Sequence, residues 1–260
     1  MKITKLLNRT LVVAAMLVCS SCKPTGGDDP QPDTRTNTTV RVVVIGMENS
    51  KFAGSCPGAH TDAIRMRETF RGWYPDVTLL ENENATKASV LAALNRAAEA
   101  DFMILFYSGH GGSEVFQQPG SEEIDGKDEF LCLYDTYLRD NDIWSVISKC
   151  NGRVWLIFDC CHSETMFRSV GFEMKMVENS VLTKADGMSM LCWSGCADDT
   201  YSYGDPSGGV FTSAILRNMF YDKTYDEVWK ELEADKILKS YERIKRTKIG
   251  NGFDGKKLIR

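Results

Sequence analysis

Residues 102–112 of the chain read FMILFYSGHGG, six apolar residues followed by a serine and a histidine set among glycines. A run this short and this continuously apolar is typical of a β-strand that is buried on both faces. Residues 154–163 repeat the arrangement as VWLIFDCCHS, where an apolar run ends in an aspartate, two cysteines and a histidine. The two segments predict two buried strands, each with reactive side chains directly after its carboxyl end.

Apolar runs of this kind alternate with amphipathic segments along the chain. The predicted strands are Val40–Gly46, Val77–Leu80, Phe102–Tyr107, Val154–Phe158 and Met188–Trp193. The predicted helices are Ala59–Arg71, Thr86–Ala100 with Thr86 as N-cap, Asn141–Lys149 and Gly209–Phe220. The alternation predicts an α/β fold in which helices cover both faces of a mostly parallel central sheet. Ligands bind such sheets beyond the carboxyl ends of the strands, so both reactive segments are expected at one edge.

The first 22 residues have the order of a secretory signal. Three basic residues precede an apolar stretch over residues 11–18, which is too short to span a bilayer as a helix. The small residues before Cys22 resemble a bacterial lipobox, although Cys19 stands where leucine is usual. We expect residues 1–22 to be a lipoprotein-type signal peptide, with plain secretion as the alternative. Residues 23–39, rich in Pro, Gly and Asp, are expected to be a flexible linker.

Residues 40–260 are expected to form one domain around one core. Of the 260 residues, 43% are hydrophobic and 26% are charged, which is ordinary for a globular protein. The net charge is −5 at pH 7, and loss of the basic leader makes the chain more acidic. Phosphate binding needs a basic surface, so we expect no nucleic-acid partner.

Nine cysteines in an exported chain suggest disulfide bonds. Cys132 and Cys192, however, lie in apolar, strand-like runs, and Cys160 stands beside a second cysteine. We therefore expect most of the cysteines to act as small buried hydrophobic residues.

A cysteine and a histidine at neighbouring strand ends suit nucleophilic catalysis. Peptide hydrolysis by cysteine needs a thiolate, or a thiol within reach of a base, and N–H donors for the oxyanion. His110 has glycine on both sides, which leaves room for a substrate chain beside the imidazole. The amides of Gly111 and Cys161 are candidate oxyanion donors. Either side chain alone has an ordinary structural interpretation, whereas their joint occurrence favours catalysis.

Segments 104–112 and 156–163 resemble the two active-site motifs of the caspase-like cysteine peptidases. The order Asp-x-Cys-His-Ser is similar to metacaspases and bacterial orthocaspases; animal caspases carry Gln-Ala-Cys there. The resemblance covers most of residues 40–240. It implies a caspase-like three-layer sandwich and a Cys-His dyad, with Cys161 as nucleophile, His110 as general base and His162 as a motif residue. The alternatives are Cys160 as nucleophile, or a redox-active disulfide between the two cysteines.

The resemblance also implies an S1 pocket that accepts arginine or lysine at P1, the residue before the scissile bond. The positions that match this pocket are Cys56, Asp62, Ser108 and Asp159. Two carboxylates are suitable partners for a guanidinium that leaves water. The loop from Cys56 to Asp62 is longer than is usual in the family, which puts the placement of Cys56 in question.

Many metacaspases are activated by calcium, and the matching positions in this chain are Asp128, Asp140 and Asn141, with Asp142 adjacent. Hard oxygen ligands suit calcium. The set is incomplete, and a solvated acidic loop is the alternative interpretation. We expect no required cofactor, and calcium activation is a hypothesis.

The segment after the second motif offers candidate sites of self-cleavage. Residues 167–187 form a long connection that contains Arg168, Lys175 and Lys184, which suit the predicted pocket. A segment of this kind is either an autoprocessing site or a mobile lid.

These features together predict a cysteine endopeptidase that cleaves peptide and protein substrates after Arg or Lys. We expect a monomer that touches the membrane only through an N-terminal lipid anchor, on the periplasmic or the outer cell surface. The alternatives are a clostripain-like or gingipain-like peptidase, or a catalytically idle caspase-like module that acts as a binding scaffold.

Overall fold

The computed structural model describes residues 38–115, 127–167, 188–219 and 222–258. The predicted signal peptide and nearly all of the linker lie outside these residues, as do Arg168, Lys175 and Lys184. For Asp128 only the backbone is described. None of the helices within the described ranges is long and apolar enough to cross a membrane.

The described residues contain thirteen strands, several of them two residues long, six α-helices and a short 3-10 helix over Asn82–Asn84. The strands are β1 (Val40–Met47), β2 (Asn49–Ser50), β3 (Gly54–Ser55), β4 (Val77–Glu81), β5 (Phe102–Gly109), β6 (Gly111–Val115), β7 (Lys127–Cys132), β8 (Tyr137–Arg139), β9 (Arg153–Asp159), β10 (Ser189–Ser194), β11 (Gly204–Asp205), β12 (Gly208–Gly209) and β13 (Lys245–Ile249). The helices are α1 (Ala59–Arg71), α2 (Lys87–Ala98), α3 (Asp140–Ile147), α4 (Val210–Asn218), α5 (Tyr225–Ala234) and α6 (Lys236–Tyr241).

The core of the fold is a six-stranded sheet in the order β13-β10-β9-β5-β1-β4. All neighbouring strands in it run parallel except β13, which pairs antiparallel with β10 at one edge. The predicted α/β fold with a mostly parallel central sheet is confirmed.

Alternate residues of each central strand point to opposite faces, and helices cover both. In β1, Val43 and Ile45 belong to the core formed with α2 and α3, whereas Val42 and Val44 belong to the core formed with α1, α4, α5 and α6. Because both faces are covered, the central strands are apolar at nearly every position, as the sequence indicated.

The helix boundaries follow local capping chemistry. Thr86 is the N-cap of α2, as predicted, since its side chain accepts a hydrogen bond from the amide of Ser89 at 3.2 Å. Helix α5 begins with a capping box in which Thr224 and Glu227 each accept the other's backbone N–H. Each predicted helix is present, with ends shifted by at most two residues.

Several elements had no counterpart among the predictions. Strands β6, β7 and β8 form a separate antiparallel sheet directly after His110, and β6 begins Gly-Gly-Ser, which lacks the alternation that signals a strand. Helices α5 and α6 and strand β13 lie C-terminal to the last predicted helix.

The sheet positions the two reactive segments side by side. Strands β5 and β9 are parallel neighbours, and Ser108 pairs with Asp159 at their carboxyl ends. His110 and Cys161 each follow within two residues of that pair, so they emerge at the same edge.

Candidate active site

A cleft of about 450 Å³ opens at the carboxyl edge of the sheet. It brings together every described residue that the sequence proposed for catalysis, the oxyanion or the S1 pocket. The residues from that set that line it are Cys56, Asp62, Ser108, His110, Gly111, Asp159 and Cys161.

The hydrogen bonds of His110 define which ring nitrogen is free to act. Its Nε2 lies 3.0 Å from the carbonyl oxygen of Ser55, which can only accept a hydrogen bond. Nε2 therefore carries the hydrogen, and in the neutral ring Nδ1 holds the lone pair. The carbonyl of His110 accepts hydrogen bonds from the Tyr107 hydroxyl at 2.7 Å and from the amide of Cys132 at 3.0 Å, which anchor the turn.

The two adjacent cysteines differ in exposure. Cys160 is 1% exposed, and burial raises the pKa of its thiol well above the usual range. Cys161 is half-buried and lines the cleft. Burial also raises the pKa of Cys161, whereas a hydrogen bond from the amide of Ser202 to Sγ, at 3.4 Å, opposes that rise. A neutral Cys161 thiol needs a base to become a nucleophile.

Gly111 lies close to the backbone of the second reactive segment. A Cβ at this position would lie 2.4 Å from the carbonyl oxygen of Cys161 and 3.1 Å from the sulfur of Cys160. Only glycine allows the backbones to come this close. The amides of Gly111 and Cys161, the candidate oxyanion donors, belong to these two adjoining backbones.

His162 is engaged with the loop after β10. Its backbone has φ of 53°, a left-handed conformation that is uncommon for a residue other than glycine. Its Nδ1 donates a hydrogen bond to the carbonyl of Asp198, and its ring meets Tyr201 edge to face at 6.0 Å. These contacts orient the turn that carries Cys161.

Asp62, in the first turn of α1, forms one wall of an acidic pocket. It is 1% exposed and accepts hydrogen bonds from the Ser108 hydroxyl at 2.9 Å and from the amide of Gly209 at 2.9 and 3.0 Å. Burial, and then the charge of Asp159, raise the pKa of Asp62 to about 7; these two hydrogen bonds and Arg65 oppose the rise.

Asp159, at the end of β9, forms the opposite wall. Its Oδ2 accepts hydrogen bonds from the amide and the hydroxyl of Thr212, at 2.9 and 2.6 Å, and its Oδ1 accepts from the hydroxyl of Ser202 at 2.7 Å. Burial raises the pKa of Asp159, and these bonds act against that rise. Among the described residues, neither Asp62 nor Asp159 takes part in an ion pair.

Gly209 keeps the space between the two carboxyl groups open. A Cβ at Gly209 would lie 2.1 Å from Oδ2 of Asp159 and 3.0 Å from Oδ2 of Asp62. Any side chain at this position would therefore displace at least one carboxyl group.

Cys56 lines the cleft despite the longer loop that follows it. Its amide donates a hydrogen bond to the carbonyl of Glu48 at 2.7 Å. Burial, and then the charges of Asp159, Cys161 and Asp62, raise the pKa of Cys56 to about 12. The thiol is neutral and contributes a small, weakly polar surface to the pocket.

Sequence reasoning missed two residues that line the cleft, Ser202 and Tyr203, and two that lie behind it, Thr212 and Glu242. Thr212 and Ser202 donate hydrogen bonds to Asp159, and Glu242 accepts a hydrogen bond from the amide of Tyr203 and lies 3.2 Å from the hydroxyl of Ser202. Thr212 lies in the predicted helix Gly209–Phe220, for which the sequence motifs indicate no functional role. Ser202, Tyr203 and Glu242 carry no local pattern by which they could have been found.

Of the residues proposed for calcium, the side chains of Asp140 and Asn141 are described and that of Asp128 is not. Asp140 is buried in the first turn of α3 and accepts a hydrogen bond from the amide of Asn141 at 2.6 Å. Asp142 pairs with Lys87 and accepts the amide of Arg139. No group of three candidate metal-ligating side chains occurs among the described residues.

The seven cysteines in the described residues are all free thiols. Five of them, Cys132, Cys150, Cys160, Cys192 and Cys196, are buried, and Cys56 and Cys161 in the cleft are half-buried. The buried five pack as small apolar side chains.

Two solved structures and one family model are similar to this chain. A crystal structure of a protein from Geobacter sulfurreducens is similar to this chain at 25% identity with a TM-score of 0.63, covering 82% of this chain and 94% of that one. Caspase-1 from Spodoptera frugiperda shares the fold at 13% identity with a TM-score of 0.56, covering 86% and 92%. No curated protein sequence matches the chain. The sequence matches the caspase domain over residues 39–243, and because this match spans most of its length, the chain belongs to the caspase domain family.

Proposed function

We propose that this protein is a cysteine endopeptidase that cleaves after arginine or lysine, with Cys161 as nucleophile and His110 as general base. Caspase domain proteins are cysteine peptidases. The observation that carries the proposal is the shared cleft, in which Cys161 and His110 lie beside the buried carboxyl groups of Asp62 and Asp159.

The proposed reaction begins with proton transfer from the Cys161 thiol to Nδ1 of His110, the nitrogen that its bond to Ser55 leaves unprotonated. The sulfur attacks the substrate carbonyl carbon, and the amides of Gly111 and Cys161 donate hydrogen bonds to the oxyanion. His110 then passes the proton to the leaving amine, and a thioester to Cys161 remains. Water, activated by the same imidazole, hydrolyses the thioester and restores the thiol.

The specificity follows from the charge of the pocket. Two buried carboxylates side by side are unfavourable, and a guanidinium or ammonium group at P1 supplies a cation that can pair with both. The planar guanidinium can hydrogen bond to both Asp62 and Asp159, which favours arginine over lysine. An acidic P1 residue would bring a further negative charge into the pocket, where the charge of Asp159 already raises the pKa of Asp62.

Hydrolysis of fluorogenic peptides with Arg, Lys or Asp at P1 tests this proposal. The wild-type protein should cleave the Arg and Lys peptides, and Cys161→Ala and His110→Ala should each abolish cleavage. Cys160→Ala is the matched control, because Cys160 is buried next to the nucleophile, and it should retain activity. Full activity in Cys161→Ala, or cleavage after Asp alone, would contradict the proposal; no turnover in any form would favour a binding module.

We also propose that the protein cleaves itself, that calcium activates it and that a lipid anchors it to a membrane. Intact mass analysis of the wild type and of Cys161→Ala tests cleavage after Arg168, Lys175 or Lys184. The peptide assays, repeated with added calcium, test activation by that ion. A lipid anchor predicts that Cys22→Ser abolishes metabolic labelling with palmitate and releases the protein from membranes.

A further inference from the structure

Glu242 is a buried acid that lies behind the wall of the cleft. It follows α6, where its amide donates to the carbonyl of Leu238 at 2.8 Å, and it is 6% exposed. One carboxyl oxygen, Oε2, has no hydrogen-bond partner among the described residues. An incompletely paired buried carboxyl group is costly, so its retention calls for a specific role.

The other oxygen of Glu242 holds the segment that forms the cleft wall. Oε1 accepts a hydrogen bond from the amide of Tyr203 at 2.8 Å and lies 3.2 Å from the hydroxyl of Ser202. Tyr203 and Ser202 both line the cleft. The carbonyl of Tyr203 accepts a hydrogen bond from the amide of Val210 at 2.9 Å, next to the pairing of β11 and β12, and Glu242 holds the amide of the same residue.

Ser202 connects the acidic pocket to the nucleophile. Its hydroxyl donates to Oδ1 of Asp159 at 2.7 Å, and its amide donates to Sγ of Cys161 at 3.4 Å. The hydroxyl has one hydrogen, which the shorter contact assigns to Asp159. Ser202 therefore contacts the acidic pocket through its side chain and the Cys161 thiol through its backbone amide. Glu242 contacts both Ser202 and Tyr203.

We propose that Glu242 is a positioning residue: its carboxyl group fixes Ser202 and Tyr203 so that Ser202 serves Asp159 with its hydroxyl and Cys161 with its amide. The inference rests on the proposed peptidase function and deepens it. Glu242 itself does not line the cleft and does not touch the substrate. Glu242 affects the cleft only through Ser202 and Tyr203, which it holds in place.

A comparison of Glu242→Gln with Glu242→Leu tests the inference, because both changes remove the titratable carboxyl group and only glutamine keeps an acceptor for the Tyr203 amide. With a P1 arginine peptide, we expect Glu242→Gln to stay close to the wild type. Glu242→Leu should raise KM about tenfold, with a smaller fall in kcat. Equal effects of the two substitutions, or no effect of leucine, would overturn the inference.

A double-mutant cycle with Ser202→Ala separates positioning from general destabilisation. If Glu242 acts through Ser202, the loss caused by Glu242→Leu should shrink when Ser202 is already alanine. Full additivity would contradict the proposed route.

The rate at which iodoacetamide alkylates Cys161 gives a readout that does not require turnover. Glu242→Leu should lower this rate relative to Glu242→Gln, because the Ser202 amide that stabilises the thiolate is no longer held. A wild type that cleaves no Arg or Lys peptide would remove the proposed function, and the alkylation rates would still decide whether Glu242 positions Ser202; equal rates would count against it.

Discussion

The buried carboxyl group of Glu242 should make the free energy of unfolding depend on pH. The substitution Glu242→Gln should remove this contribution to the pH dependence. Burial is the main cause that raises the pKa of Glu242 from 4.5 to about 8, and the charge of Asp159 adds to it. The folded-state pKa lies above the unfolded one, so the protein is most stable when the group is protonated. That stabilisation is lost as the pH rises from 4.5 through about 8.

The size of the effect follows from the shift. One pKa unit corresponds to about 1.4 kcal/mol, so a shift from 4.5 to about 8 removes about 4 kcal/mol of unfolding free energy between pH 5 and pH 9. Solvent screening reduces this little, because Glu242 is 6% exposed. Glu242→Gln carries no titratable group, and relative to the wild type it should gain stability by up to that amount as the pH rises.

Urea unfolding under reducing conditions at pH 5, 7 and 9 measures this difference. The free energy of unfolding of Glu242→Gln minus that of the wild type should increase steadily with pH. Glu83→Gln, at an exposed glutamate, is the control and should show a constant difference. A Glu242→Gln difference that stays constant within about 1 kcal/mol from pH 5 to pH 9 would refute the reasoning.

Three further substitutions probe the site and the fold. Gly209→Ala should displace the carboxyl group of Asp159 and raise KM for a P1 arginine peptide. Urea unfolding should show a loss of about 1–3 kcal/mol in the free energy of unfolding. An unchanged KM would show that the pocket tolerates a side chain at this position. Tyr107→Phe removes the hydroxyl that donates to the carbonyl of His110 and should cost about 1–2 kcal/mol of unfolding free energy, with a lower kcat that steady-state kinetics would detect. Thr224→Ala breaks the capping box of α5 and should cost about 1 kcal/mol in thermal or urea unfolding without changing kcat; a change in kcat would contradict the assignment of Thr224 to stability alone.

Five of the six strands of the main sheet could be predicted from the sequence, because most of them are buried on both faces, whereas β13 at the edge was not predicted. Continuous apolar runs such as Phe102–Tyr107 indicate this burial directly, because each run is a local pattern of a few consecutive residues. The small sheet that begins at Gly111 escaped prediction, because two glycines and a serine carry no apolar alternation.

The proposed nucleophile, the proposed base and the two aspartates of the cleft could also be nominated from the sequence, because each belongs to a short motif or follows a recognisable element. His110 and Cys161 directly follow buried strands, and Asp62 stands in the first turn of a predicted helix. Which cysteine opens to the cleft was settled by exposure: Cys160 is buried and Cys161 is half-buried.

What surrounds these residues was decided by the tertiary structure alone. The amide of Gly209 reaches Asp62 across 147 residues of sequence, and Ser202 joins Asp159 to Glu242 across 43 and 40 residues. A buried polar group must find a partner, but the sequence pattern around it does not say which distant residue will supply one. By itself, therefore, the sequence determined the parallel strands of the sheet and the reactive side chains at its carboxyl edge. The folded chain determined the hydrogen-bond partners and neighbours that set the pKa values and positions of those side chains.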